Sequence, residues 1–242
     1  MFRKKYITMN KKIKIAIVVI AALAVAYSIY YLTEYSPAEA AATDYLNGTN
    51  EVNITKVNNG LFLDGYGNDT ALIFYPGAKI EYTSYLPMLC ELSSNGIDCY
   101  LVEMPFNLAL FGENEADKII DTTNYSKYVL CGHSLGGVVA SSYMAHSGKG
   151  DGLILLAGYP TENITKPTLS IYGSNDGNLN RKSYDEAKPL MSNMSEHVID
   201  GGNHAQFGYY GKQSGDNDAN ITPENQQNQT VAKIIEFISK LG

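Results

Sequence analysis

Three residues in the second half of the chain have the types and the order that acyl transfer at a serine requires. Ser134 stands in "YVLCGHSLGGVVASSYMA", Tyr128 to Ala145, between an apolar run that reads as a short buried strand and a run that reads as a helix. Gly132 and Gly136 lie two residues to either side, where a strand turning sharply into a helix crowds the backbone and side chains would clash. This Gly-x-Ser-x-Gly spacing is the nucleophile elbow. It holds a hydroxyl at the carboxyl end of a sheet, at the start of a helix whose amides favour an oxyanion. Read by itself it is also a glycine-rich turn with an idle serine, so the partners decide.

A serine hydroxyl is a weak nucleophile near neutral pH; it needs a base, and the base needs an orienting acid. Of four histidines, His133 adjoins the serine and is expected to point away from it, His146 follows the helix, and His197 lies inside an expected strand. His204, in "IDGGNHAQFG", follows the last expected strand and is bracketed by Gly201, Gly202 and Gly208, which free it to reach over the sheet edge. Asp176, in "LSIYGSNDG", follows another strand between Ser134 and His204. Alone it would be a turn aspartate. Together the three run Ser, Asp, His, the chain order that goes with an elbow serine. The tetrahedral oxyanion needs two donors: the backbone amide of Leu135, and that of Ala78 in "FYPGAKI", where Gly77 lets the backbone approach.

These residues need a sheet to bring them to one edge. From Ala71 onward, strands at "ALIFY", "IDCYLVEM", "YVLC", "GLILLAG", "TLSIYG" and "SEHVID" alternate with helices at "YTSYLPMLCELSSNG", "ENEADKIIDTT", the segment after Ser134, Ser183 to Met191 and "VAKIIEFISKL". An opening hairpin is expected around "NNG", with runs near Val52 to Thr55 and Leu61 to Asp64. Continuous apolar strands separated by helices imply an α/β fold, a mostly parallel sheet covered on both faces, with the site at the strands' carboxyl ends.

Over about Ala71 to Gly242 the chain resembles the α/β-hydrolase fold, and "FYPGAK", "VEMPFNLALFG", "GHSLGG", "YGSNDG" and "GGNHAQFGYYG" resemble a group of small, often membrane-anchored bacterial and archaeal members. The resemblance implies Ser134, Asp176 and His204 as catalytic triad, without a substrate. Pro76-Gly77 stands where better-known lipases and esterases carry His-Gly, which keeps the backbone donor and changes the wall beside it. Only "GYPTENITKP" separates "GLILLA" from "TLSIYG", too short for the helical lid that many relatives insert, so an open, shallow pocket is expected. Phe106 and Leu108 are expected to form an acyl-side wall and Asn107 a polar contact, with core packing and capping as their other roles.

The amino terminus is of another kind. Residues 1–14 carry six Lys or Arg and no acid, and Ile15 to Leu32 is eighteen residues without a charge, with tyrosines 27, 30, 31 and 35 clustered at its far end. This pattern predicts a basic cytoplasmic leader, a transmembrane signal anchor over 15–32, a polar stalk over 33–48 and a hydrolase domain over 49–242 outside the cytoplasm, at the cell membrane. A cleaved signal peptide is the competing reading, with Ala38-Glu39-Ala40 as the cleavage motif. Beyond Leu32 lie all 25 acids and 12 of the 18 bases, a net charge of −13 that argues against nucleic acid as a partner. Cys90, Cys99 and Cys131 have no metal-binding spacing; buried thiols are expected, with a Cys90–Cys99 disulfide left open. Eight Asn-x-Ser/Thr sequons would matter only in an organism that glycosylates exported proteins.

The expectation is therefore a lidless serine hydrolase acting on small-molecule or envelope carboxylic esters through an acyl-enzyme, with no metal and no organic cofactor and with its oligomeric state open. The same parts would serve an acyltransferase, a thioesterase or a peptidase. A noncatalytic envelope protein on the same fold is the rival from another class.

Overall fold

A computed structural model describes residues 10–67 and 69–241. The chain divides into two units, Met1–Glu34 and Tyr35–Gly242. In the first, helix α1 (Lys11–Thr33) is capped by Asn10, whose side-chain oxygen accepts the Lys12 amide at 3.0 Å. None of its side chains is buried, and its most apolar window has a mean hydropathy of 2.4. At 1.5 Å per residue the helix reaches about 34 Å, enough to cross a hydrocarbon core of about 30 Å. Residues 1–9 of the expected basic leader lie outside the described residues. Lys11, Lys12 and Lys14 belong to the first turn of α1, so the uncharged run is all of the helix but that turn and the terminal Thr33.

The second unit is an eight-stranded sheet in the order β1-β2-β4-β3-β5-β6-β7-β8. The hairpin of β1 (Asn53–Val57) and β2 (Gly60–Asp64) joins β4 (Asp98–Val102) antiparallel. All other pairs, among β3 (Thr70–Tyr75), β4, β5 (Lys127–His133), β6 (Gly152–Leu156), β7 (Thr168–Gly173) and β8 (Met194–Ile199), are parallel. Every residue of β3, β4, β6 and β7 is buried. Their side chains still alternate between two cores. Leu72, Phe74, Val129 and Cys131 face one, with helices α3 (Leu86–Ser94) and α7 (Pro223–Ser239). Ala71, Ile73, Tyr75 and Leu130 face the other, with α5 (Leu135–Ser147). Such two-sided burial explains why these strands read as unbroken apolar runs rather than as alternating ones.

Three segments differ from expectation. The stalk expected over 33–48 is folded onto the domain from Ser36 onward. The Ser36 amide donates to the Lys79 carbonyl at 2.7 Å, its carbonyl accepts the Glu81 amide at 2.9 Å, and Ala42 in α2 (Ala40–Thr43) is fully buried. The helix expected over "ENEADKIIDTT" reduces to a 3-10 turn and the single turn α4 (Asp117–Ile120). Thr122 and Thr123 bond back to the carbonyls of Lys118 and Ile119 and close that turn early. The last helix begins at Pro223, well ahead of the apolar run, because the Thr222 hydroxyl caps the Asn225 amide at 3.3 Å and proline suits a first helical position. Between β6 and α6 (Arg181–Ala187) only β7 is regular; residues 158–167 form no helix and are pinned by a bridge between Ile164 and Met191.

Candidate active site

The elbow is built by close backbone approach. A Cβ on Gly132 would stand 2.5 Å from backbone atoms of Gly136 and Gly137, and one on Gly136 would stand 2.1 Å from the Tyr75 carbonyl oxygen and 2.3 Å from that of Pro76. The first turn of α5 therefore lies against both β5 and the loop after β3. Ser134, between the two glycines, is held at φ 52° and ψ −123°. An L-residue adopts such a conformation only when its surroundings enforce it. Its amide donates to the Leu156 carbonyl at 2.8 Å, tying the elbow to β6.

Asp176 and His204 meet over the sheet edge. The His204 Nδ1 lies 2.9 Å from Asp176 Oδ2 and 3.1 Å from Oδ1, and both side chains are buried. Asp176 Oδ1 also accepts the backbone amides of Asn178 at 2.9 Å and Leu179 at 2.7 Å, which fix the carboxylate. A carboxylate only accepts, so Nδ1 carries the proton and Nε2 is left as the basic lone pair. Among the described residues Nε2 has no hydrogen-bond partner, Ser134 included. His204 and Ser134 line one cavity of about 230 Å³, walled further by Leu135, Tyr159, Asn178 and Leu179. A larger cavity of about 490 Å³, lined by Asn203, Gln206, Tyr209 and Asp216, reaches neither Ser134 nor His204.

Leu135 opens α5 directly after Ser134, and Ala78 lies two residues beyond Pro76, whose carbonyl Gly136 approaches; among the described residues neither backbone amide has an acceptor. Gly77, one residue earlier, donates instead to the Tyr85 hydroxyl at 3.1 Å, and that hydroxyl lies 2.8 Å from His133 Nδ1. With the Gly77 amide as donor, the tyrosine proton is directed to His133.

His133, expected to point away from the serine, is not among the residues that line the cavity at Ser134. Its ring packs against that of His204, with centroids 4.7 Å apart, and touches Tyr85, Phe207 and Tyr210. Complete burial pushes its pKa well below the ordinary range, and the neighbouring His204 adds to that, so it is neutral and not a second base. His146 pairs with Glu113 at 2.7 Å and Glu162 at 3.0 Å on the surface.

The expected substrate wall is placed differently. Phe106, Asn107 and Leu108 do not line the cavity at Ser134. Leu108 is buried, Phe106 is exposed, and the Asn107 carbonyl accepts the Lys79 amide at 2.7 Å, bracing the loop that carries Ala78. Phe106 and Asn107 have φ of 56° and 52°, a turn that "MPFNLALF" does not announce because it contains no glycine. Asp216 was missed as well: its carboxylate accepts the Gly177 and Ala205 amides, each at 2.9 Å, joining the residues that follow Asp176 and His204. Nothing in "SGDNDAN" distinguishes it from Asp218. The three cysteines are free and buried, and burial pushes Cys90 and Cys99 up to about 12. No group of metal-ligating side chains occurs among the described residues.

Residues 71–228 match the profile of the alpha/beta hydrolase family. No curated protein matches the chain. Solved structures with the same fold include the Francisella virulence factor BioJ, 16% identical with a TM-score of 0.61, over 83% of this chain and 88% of that one. Est1E from Butyrivibrio proteoclasticus is 13% identical with a TM-score of 0.55, over 78% and 100%. MGS-MChE2, an alpha/beta hydrolase enzyme from the sediment metagenome of the Mar Chica lagoon, is 15% identical with a TM-score of 0.56, over 76% and 97%. At these identities the likeness is one of fold.

Proposed function

The chain belongs to the alpha/beta hydrolase family, and from that premise we propose that it is a serine hydrolase of carboxylic esters, anchored in a membrane by α1. The observation that carries this reading is the buried Asp176–His204 pair, in which Nε2 is unpartnered and His204 lines the same cavity as Ser134.

In this reaction Ser134 Oγ attacks the ester carbonyl while His204 Nε2 takes its proton. The charge that develops on the imidazole is balanced by Asp176, and the oxyanion is received by the amides of Leu135 and Ala78. Collapse breaks the carbon–oxygen bond; the imidazolium returns its proton to the departing alcohol and Ser134 is left acylated. A water then repeats the steps, with Nε2 as base, and releases the acid. In a free enzyme the serine–histidine contact is often long and tightens when substrate arrives, which accommodates the open Nε2. The neutral state of His133 favours the step, because a second cation 4.7 Å from the His204 imidazolium would oppose it.

A fluorophosphonate probe together with hydrolysis of p-nitrophenyl acetate tests the proposal. The full chain should be labelled and active and Ser134→Ala should be neither. An unlabelled, inactive wild-type protein with an intact melting transition would identify a noncatalytic member of the family.

A further inference from the structure

The loop after β4 turns apolar side chains into solvent. Phe106, Leu110 and Phe111 are 55%, 64% and 57% exposed, and the rings of Phe106 and Phe111 pack edge to face with centroids 5.7 Å apart. The left-handed backbone of Phe106 and Asn107 directs this loop outward at a cost in local strain. Of the other large apolar side chains exposed in the domain, Leu46, Tyr66 and Val198 lie on separate elements. None of the three loop residues lines the cavity at Ser134, so substrate binding there does not account for them.

The chain itself indicates what covers the patch. Helix α1 ends at Thr33, and Ser36 is already hydrogen-bonded to Lys79 and Glu81. Lys79 in turn donates to the Asn107 carbonyl, next to Phe106. Three residue steps from Thr33 to Ser36 extend at most about 11 Å. If α1 spans a bilayer, the edge formed by Ser36, Lys79 and Asn107 is held within that reach of the hydrocarbon boundary. Tyr35, 46% exposed, immediately precedes Ser36. Aromatic and leucine side chains at this depth are what monotopic membrane surfaces present. A second copy of the chain is a poorer occupant, because three side chains fall short of the approximately 800 Å² per partner that a stable interface buries.

We propose that Phe106, Leu110 and Phe111 dock the domain onto the bilayer that holds α1, with the insertion driven by apolar contact. The domain's net negative charge gives anionic headgroups no role in it. The catalytic edge then faces the membrane, and the substrates it meets are esters carried at the lipid surface. This inference rests on the anchored-hydrolase reading, and the experiment separates the two.

The chain contains no tryptophan, so Phe111→Trp and Leu110→Trp each install a single indole, excited apart from the tyrosines, at an exposed position. Tyr66→Trp, beyond β2 at the opposite end of β4, is the control: the neighbouring Gly65 bonds the first residue of β4, Asp98. Each full-length variant is reconstituted into phosphatidylcholine vesicles with plain or brominated acyl chains. The expected result is a blue-shifted indole emission from both loop variants that loses intensity in brominated vesicles while the control emission does not. Unquenched emission at both loop positions in protein that floats with the vesicles would overturn docking and leave anchoring intact. A blue shift without quenching would report a protein partner on the patch and also overturn it. Protein that fails to float with the vesicles removes the anchor, and the docking inference with it.

Discussion

At the scale of single residues, the site is a division of labour around two histidines of opposite fate. His204 keeps an acidic partner and a free Nε2, whereas His133 is neutral, sealed between Tyr85 and the ring of His204. Ser134→Ala or His204→Ala should lower kcat by about four to six orders of magnitude and Asp176→Asn by a comparable or smaller factor. His197→Ala, on β8, should change kcat little; loss of activity there with His204→Ala active would reverse the assignment. Tyr85→Phe removes the acceptor of the Gly77 amide and the donor to His133 Nδ1. Each buried group left unpaired costs about 1–3 kcal/mol, so the variant should melt lower. Its kcat should fall with KM largely kept, because the loop that carries Ala78 loosens. His133 also sets a pH dependence. Above its unfolded value of 6.5 both states are neutral; below it the unfolded chain takes up a proton that the folded chain refuses. His133 therefore contributes stability that is lost as pH drops below about 6.5, and His133→Asn should flatten that part of a melting-temperature profile. The places of Ser134, Asp176 and His204 could be read from the sequence because each follows a strand and is flanked by glycine. The His133 contact could not, since it depends on which side of the elbow two distant loops converge.

At the scale of elements, strands that feed the site were legible and the turns between them less so. Five apolar runs, the mixed run "SEHVID" and the hairpin at "NNG" correspond to the eight observed strands; in the central ones burial on both faces leaves no polar position to blur a strand. Where polar side chains compete for backbone groups, as Thr122 and Thr123 do, composition misjudged the helix length. The loop after β4 was misassigned to the pocket for a related reason: the direction of a loop follows from two left-handed residues, Phe106 and Asn107, that carry no glycine signature. The elbow itself makes the sharpest test of an element. Gly136→Ala would drive a methyl group to 2.1 Å from the Tyr75 carbonyl oxygen, where only backbone could yield. Gly148, the C-cap of α5, has nothing within 4 Å of a Cβ and only a φ of 69° to resist substitution. Gly148→Ala should cost about 1–2 kcal/mol and remain active in a thermal-melt and esterase assay. Gly136→Ala should be inactive and recovered poorly as folded protein. Equal behaviour of the two would mean that the close packing of α5 on the loop after β3 is not what shapes the elbow.

At the scale of the whole molecule, every buried side chain among the described residues belongs to the stretch from Ala42 to Leu241, and α1 contributes none. The domain therefore carries its own core, but its boundary is not where composition placed it. A chain starting at Tyr35 keeps the Ser36 bonds to Lys79 and Glu81 and should be soluble and active. One starting at Gly48 loses them together with buried Ala42, and should melt lower. Full-length protein should resist carbonate extraction from membranes. The size of the cavity bears on substrate choice. About 230 Å³ lies below the 300–1,000 Å³ usual for small-molecule pockets, and residues 158–167 supply no helix to cover a longer acyl chain. Each methylene that stays in water forgoes about 0.8 kcal/mol of burial, so the gain in specificity with acyl length should stop early. With dissolved p-nitrophenyl esters and the domain starting at Tyr35, kcat/KM should be highest between acetyl and butyryl and should not rise from butyryl to octanoyl. Docking on a bilayer would bring the enzyme to lipid-borne esters without enlarging this cavity, so full-length protein in vesicles should keep the same short-acyl preference toward dissolved esters. A steady rise through octanoyl in both forms would show that a groove outside the present cavity receives the acyl chain.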